Sequence, residues 1–236
     1  GHNFTTKCLG VHGNADLNYA MAKSCNVYFS EAGRRLGIEN MNLYAKRFGL
    51  GVKTGIELTE TTGILAGPEY SRSIGSRWSN LVTIKAAIGQ SDNQFSPLQL
   101  ATYVATIANG GNRYRPHLIR KITDYRRENI VMENNPDSPE LVETAGVSEE
   151  HLNMVKTAMR QVVLSGTATN FNGYMVPVAA KTGTAQNSGS DHTTFICFAP
   201  YENPEIAIGV VVEHGAKGMV SKIVAKDIMD AYFANK

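Results

Sequence analysis

The pattern of apolar and polar positions divides the chain into helical and strand-like stretches. In residues 16–36, "DLNYAMAKSCNVYFSEAGRRL", Leu17, Ala20, Met21, Ser24, Val27, Tyr28 and Leu36 recur near one helical face. Asn14 or Asp16 can cap the start, and Gly37 can end it. The apolar stripe falters near Ser24, so one long helix and a helix–turn–helix fit it equally. Asn40–Phe48 reads as a short helix closed by Gly49. Residues 50–95 are rich in Gly, Thr and Ser with little periodicity, which predicts a long irregular connection. "SPLQLATYVATIANGG" predicts a helix. Ser96 stands at its N-cap, Pro97 at the first position, where a missing N–H costs nothing, and Gly110 at its stop. "RYRPHLIRKITDY" and "ENIVME" alternate apolar with polar residues and predict a hairpin. "PDSPELVETAGVS" reads as a connector, followed by a helix from Ser148 to Ser165 that Gly166 ends.

Three strand candidates follow: "MVPVAAKTGTAQ", "TTFICFAP" and "EIAIGVVVE", the last two joined by the turn signal "YENPE". "VSKIVAKDIMDAYFA" closes the chain as an amphipathic helix. Residues 175–185, 193–199 and 205–213 are expected to form adjacent antiparallel strands with the final helix on one face. Strands clustered in this way, without β–α–β alternation, predict an α+β fold.

Composition narrows the class. Of the 236 residues, 42% are apolar and 19% charged, the balance of a globular domain able to bury its own core. A net charge of +2, with no basic tract interleaved with aromatics, argues against a nucleic-acid partner. No apolar run approaches the roughly 18 residues of a membrane span. The opening "GHNFTTKCLG" carries no signal-peptide pattern and reads as the interior of a longer protein, so residues 1–236 are expected to be a fragment of one domain. The three cysteines, Cys8, Cys25 and Cys197, form no CxxC, and the six histidines do not stand at zinc spacing from them. The expectation is buried thiols acting as small hydrophobes, with no metal and no cofactor.

The candidate chemistry lies in a tripeptide that occurs twice. Lys-Thr-Gly is expected by chance roughly 0.05 times in a chain of this length. Lys53–Gly55 sits among glycines after a helix and reads as a turn. Lys181-Thr182-Gly183-Thr184 instead continues a strand of small apolar residues. On a strand, Lys181 and Gly183 point one way and Thr182 and Thr184 the other. A glycine there permits close approach of another backbone or a ligand. A phosphate loop is excluded, because Ala180 precedes the lysine and no glycine stands where that loop needs one. An edge strand that accepts an extended peptide fits better: backbone groups pair with it, the lysine supplies charge, and the hydroxyls grip a carboxylate. Upstream, "AKSCNVYF" supplies Ser24 and Asn26 as a Ser-x-Asn, which alone reads as a helix end.

Together the two tripeptides match two of the three motifs of penicillin-binding proteins and class A β-lactamases. The chain resembles the transpeptidase domain of class B penicillin-binding proteins. The stretches "HGNADLNYAMAKSCNVYF", "FGLGVKTGIEL", "IGQSDNQFSPLQLATYVATIANGG", "VVLSGTATNF" and "AAKTGTAQ" carry the resemblance in the family's order, from Cys8 onward. "HTTFICFAPYENPEIAIGVVVEHG" is most similar to the elongation type, penicillin-binding protein 2. The resemblance implies an antiparallel sheet flanked by helices, incomplete here.

The third motif, Ser-x-x-Lys, occurs nowhere in the sequence. In the family it precedes Ser-x-Asn and supplies the nucleophile and its base, so the expectation is a chain that starts downstream of it and is inactive by itself. The resemblance implies acyl transfer. An absent serine takes a D-Ala-D-Ala carbonyl, releases D-alanine and passes the acyl group to an amine of another peptidoglycan strand. Ser24 relays a proton, tuned by Lys181. Asn26 bonds the substrate amide and the absent lysine, and Lys181 with Thr182 or Thr184 binds the terminal carboxylate. The N–H of Thr184, which follows Gly183, serves as one oxyanion donor. Stem peptides ending in D-Ala-D-Ala, β-lactams and cell-wall elongation proteins are the implied partners, with the parent anchored in the membrane and this domain on its extracytoplasmic side. The rival readings are a serine β-lactamase or β-lactam sensor, and a non-catalytic module that binds peptidoglycan or partner proteins.

Overall fold

The computed structural model describes Cys8, residues 10–215 and residues 218–235. The opening Gly1–Lys7, read above as the interior of a longer protein, lies outside the described residues. The first helical stretch breaks in two, as helix α1 (Leu17–Ala22) and helix α2 (Asn26–Leu36). Asp16 caps α1, its Oδ1 accepting the Tyr19 amide at 2.8 Å. The break centres on Ser24, a non-glycine residue with φ of 50° in the left-handed region. Helix α3 (Ile38–Arg47) follows.

The stretch 50–95 is less irregular than its sequence predicts. It holds helices α4 (Pro68–Ser73) and α5 (Asn80–Ala87). The first is too short to show a period. The second spreads Leu81, Val82, Ile84, Ala86 and Ala87 around its axis, so no single stripe marks it. Helix α6 (Pro97–Ala108) begins with a capping box between Ser96 and Gln99. The fully buried Gln99 also donates its amide to the Val52 and Thr62 carbonyls, 2.8 Å each. One side chain thereby ties two loop segments, at Val52 and at Thr62, to the start of α6.

Four short strands come next: β1 (Asn112–Tyr114), β2 (Lys121–Thr123), β3 (Ile130–Glu133) and β4 (Leu141–Thr144). β2 and β3 form the predicted hairpin. β1 pairs instead with β4, inside the stretch read as a connector. The Pro, Ser and acidic residues before Leu141 concealed that four-residue, exposed strand.

Helix α7 (Glu149–Ser165) leads to the main sheet of strands β5 (Ala179–Ala185), β6 (His192–Ala199) and β7 (Ile206–Val212), antiparallel in the order β5-β6-β7. Helix α8 (Met219–Ala234) closes the chain. One face of the sheet presents Ala180, Phe195, Cys197, Ile208 and Val210 to Val162 and Val163 of α7 and to Ala225 and Met229 of α8. The other presents Ala179 and Phe198 to Val104 and Ile107 of α6 and Met159 of α7. Burial on both faces explains why β6 reads as an almost continuous apolar run. The expected three strands and the final helix on one face are as the sequence predicts. The α+β class holds, and among the described residues the largest sheet has three strands. β5 is left as an edge strand.

Candidate active site

Ser24 and Lys181 meet. The Lys181 ammonium donates to Ser24 Oγ at 2.6 Å and to the Thr182 carbonyl at 2.7 Å, across 157 residues of sequence in the first case. The Lys181 side chain reaches inward, and burial pushes its pKa down from 10.5 to about 8. An amine that holds its proton weakly, beside a hydroxyl, can pass a proton in either direction near neutral pH. Asn26 opens α2 two residues beyond Ser24, half-buried on the same turn.

The last turn of α7 brings these elements together. Lys23 donates to the Ser165 carbonyl at 2.8 Å. Gly166 lies so close to α1 that a Cβ placed on it would stand 2.5 Å from the Ala22 carbonyl oxygen and 2.9 Å from the Ala22 Cα. Any side chain there pushes α1, and Ser24 with it, away from the sheet. Thr167 shares a hydrogen bond with the Thr182 hydroxyl at 2.7 Å. Residues 165–167 thus fix the turn that carries Ser24 and the strand that carries Lys181. The sequence reads this segment as a helix end and, within "VVLSGTATNF", as one of the stretches that carry the resemblance, but neither reading sets Gly166 against α1. The local signal is a glycine flanked by Ser165 and Thr167, which marks a cap as readily as a close contact.

The alternation read from the sequence holds along β5. Lys181 opposes Ile196 and Gly183 opposes Thr194 on one face, while Thr182 opposes Phe195 on the other. Gly183 leaves room for a neighbour in its own sheet: a Cβ there would meet Thr194 Oγ1 at 2.2 Å. The Thr182 and Thr184 carbonyls accept from Lys181 and, at 3.0 Å, from Gln90 Nε2. Both reach the strand from its free side. In an antiparallel strand one residue presents its N–H and C=O to the same side, so the Thr184 N–H also faces the open edge. A groove of about 820 Å³ meets this end of β5, where Gly183, Thr184, Ala185, Gln186 and Asn187 line it with Gln90; Thr194 and Val211 of the neighbouring strands and Leu100 and Tyr103 of α6 line the rest. Ser24 and Lys181 stand beyond its lining, further back along β5.

The other Lys-Thr-Gly is a carboxylate clamp within the chain. The Thr54 amide and hydroxyl donate to Glu60 Oε2 at 2.9 Å each, and the Gly55 amide donates to Oε1 at 2.7 Å. Burial acts to raise the Glu60 pKa, but these donors outweigh it and hold the carboxyl below its usual value. The lowered pKa means a stabilisation present at neutral pH and lost as pH falls through the folded-state value. Glu60→Gln is therefore expected to cost about 1 kcal/mol in urea unfolding at pH 7, a gap that narrows below pH 4.5. Lys53→Ala leaves stability within about 0.5 kcal/mol.

The absence of zinc spacing in the sequence missed a grouping that the fold creates. Cys8, His12 and Cys25 bring one ligand atom each to within 4.8 Å of one another, with the two sulfurs 3.6 Å apart. His12 Nδ1 is enclosed without a hydrogen-bond partner. The break at Ser24 turns Cys25 back toward the N-terminal segment, which spacing along the chain cannot register. Two thiols and an imidazole could hold a tetrahedral ion with one position open.

Residues 3–230 match the family model described as the penicillin binding protein transpeptidase domain. The peptidoglycan D,D-transpeptidase MrdA of Acinetobacter baumannii is 33% identical over 253 aligned residues, covering 100% of this chain and 37% of that protein. The crystal structure of Pseudomonas aeruginosa PBP2 in complex with WCK 5153 superposes with a TM-score of 0.80 at 32% identity, over 92% of this chain and 47% of that one. PBP2 of Helicobacter pylori, solved in complex with MreC, gives a TM-score of 0.75 at 29% identity, over 94% of this chain and 41% of that one. The chain spans little more than a third of the length of the curated relatives it matches.

Proposed function

The chain belongs to the penicillin-binding protein transpeptidase family, and on that premise we propose that it is the C-terminal part of the transpeptidase domain of an elongation-type peptidoglycan D,D-transpeptidase. The observation that carries the proposal is the Lys181–Ser24 contact at an edge strand whose Thr184 N–H faces the open side. A serine on a segment that this chain does not contain gives its proton to the lysine of its own Ser-x-x-Lys and attacks the carbonyl between two D-alanines. The carbonyl oxygen takes the negative charge beside the Thr184 N–H. Ser24 relays a proton to the leaving D-alanine nitrogen, supplied through Lys181. The acyl-serine then passes to an amine of a second stem peptide, and the serine recovers its proton. Lys181 with the Thr182 or the Thr184 hydroxyl holds the terminal carboxylate, and Asn26 holds the substrate amide. β-Lactams enter as mimics of the same peptide end.

The kinship with MrdA and with an MreC-bound PBP2 supports cell-wall elongation proteins as partners. It also supports a membrane-anchored parent with this domain on the extracytoplasmic side. No helix among the described residues is long and apolar enough to cross a membrane.

The test uses the parent polypeptide with a peptidyl-D-Ala-D-Ala donor and an amine acceptor. D-Alanine is expected to appear in step with the cross-linked product, and penicillin to remain bound as a long-lived acyl-enzyme. Repeated penicillin turnover without cross-linking would make the parent a β-lactamase instead.

A further inference from the structure

If β5 receives an extended peptide, as proposed above, the acceptor at its open end is already occupied. We propose that the Gln90 side chain gates this edge: it holds the Thr184 carbonyl while the groove is empty and leaves when a peptide N–H takes its place. Gln90 Nε2 donates to that carbonyl at 3.0 Å, from a residue 94 positions away. Both residues line the groove, so their bond lies at its wall. Of the outward-facing carbonyls at Thr182 and Thr184, the first is held by Lys181 of the same strand. The second is held by another element, so turning one side chain frees it.

The loop beneath Gln90 is anchored without that side chain. The Gln90 amide donates to the Lys85 carbonyl at 3.1 Å. Asn93 donates to the Ala86 carbonyl at 3.3 Å and accepts the Ala66 amide at 2.9 Å. Ser91 holds a left-handed φ of 71°. Such strain persists only where the surroundings fix the backbone. The Gln90 amide is therefore a movable group on a fixed mount. A peptide that adds as a strand needs the Thr184 carbonyl for its own N–H. A ligand with no N–H at that position breaks the Gln90 bond and restores nothing, which makes the gate selective for peptide-like ligands. One net hydrogen bond corresponds to about fivefold in affinity.

The experiment titrates the 236-residue chain with diacetyl-Lys-D-Ala-D-Ala by NMR, alongside Gln90→Ala and Gln90→Met. Methionine keeps the length of the side chain and removes the donor. In the unsubstituted chain, the Thr184 amide and the Gln90 side-chain amide are expected to shift together. Both variants are expected to bind the peptide about fivefold more tightly. Binding in which Thr184 shifts but both variants keep or lose affinity overturns the gate and leaves the edge-strand reading standing. Tightening by Gln90→Ala alone assigns the effect to bulk and also overturns the gate. Absence of binding by all three forms removes the edge-strand reading and the gate with it.

Discussion

Penicillin added to the 236-residue chain leaves its mass unchanged, while a longer polypeptide that supplies Ser-x-x-Lys gains one penicilloyl group, and Lys181→Ala in that polypeptide slows acylation by about a hundredfold to a thousandfold. The first part follows from the sequence, which has no serine three residues before a lysine. Ser24 is the only serine bonded to Lys181 among the described residues. On the proposed mechanism it relays protons. A nucleophile, its base and two oxyanion donors have to stand together for acylation, and the loss of the nucleophile removes the covalent route. The second part follows from the geometry. Alanine at 181 removes the charge beside the strand and the ammonium that donates to the Ser24 hydroxyl. Lys53→Ala is the internal control, because the residues after Lys53 grip Glu60 and not a ligand. Intact-mass spectra followed by peptide mapping read both arms. A penicilloyl group on Ser24 would reassign the nucleophile.

The second large effect is on stability against pH. Burial lowers the Lys181 pKa from 10.5 in the open chain to about 8 in the folded one. Between those values the unfolded chain binds the proton and the folded chain does not, so stability rises with pH through that window. The ceiling is about 3 kcal/mol, of which about 1 kcal/mol develops between pH 7 and 9. Cys197 opposes this as pH nears 9, since burial raises its thiol from 9.0 to about 12 and the unfolded chain ionises first; burial raises the Cys25 thiol as well. Both thiols are present in Lys181→Met, so the difference between the two proteins isolates the lysine. Urea unfolding from pH 7 to 9 should show the unsubstituted chain gaining about 1 kcal/mol relative to Lys181→Met. Equal slopes in the two would mean that the Lys181 amine is better solvated than its surroundings indicate.

Legibility in the sequence followed period and length. Helices α6 and α7 were readable because each has a serine cap, an apolar stripe and a glycine just after it. The sheet was readable because β5, β6 and β7 are concentrated apolar runs separated by turn signals. Elements too short or too evenly apolar to carry a period were lost: α4, α5 and β4. Ser24 and Lys181 were found through a pair of tripeptides, since nothing local to either predicts the other. Residues whose contribution is purely spatial stayed hidden. Gly166 looked like a helix stop, Gln90 like part of a loop, and Cys8, His12 and Cys25 like unrelated side chains. Each acts through a contact that exists only after the chain has closed.

The left-handed turn at Ser24 sets two kinds of selection against each other. A side chain in that region costs roughly 1–2 kcal/mol, and glycine adopts it freely. Ser24→Gly relaxes the turn and leaves Lys181 with the Thr182 carbonyl as partner. A library screened for heat resistance alone should therefore drift toward glycine at this position. A library screened for acylation in the parent should keep the serine and carry its strain. Consensus sequences drawn from thermally enriched pools would then describe a sturdier domain with its proton relay removed.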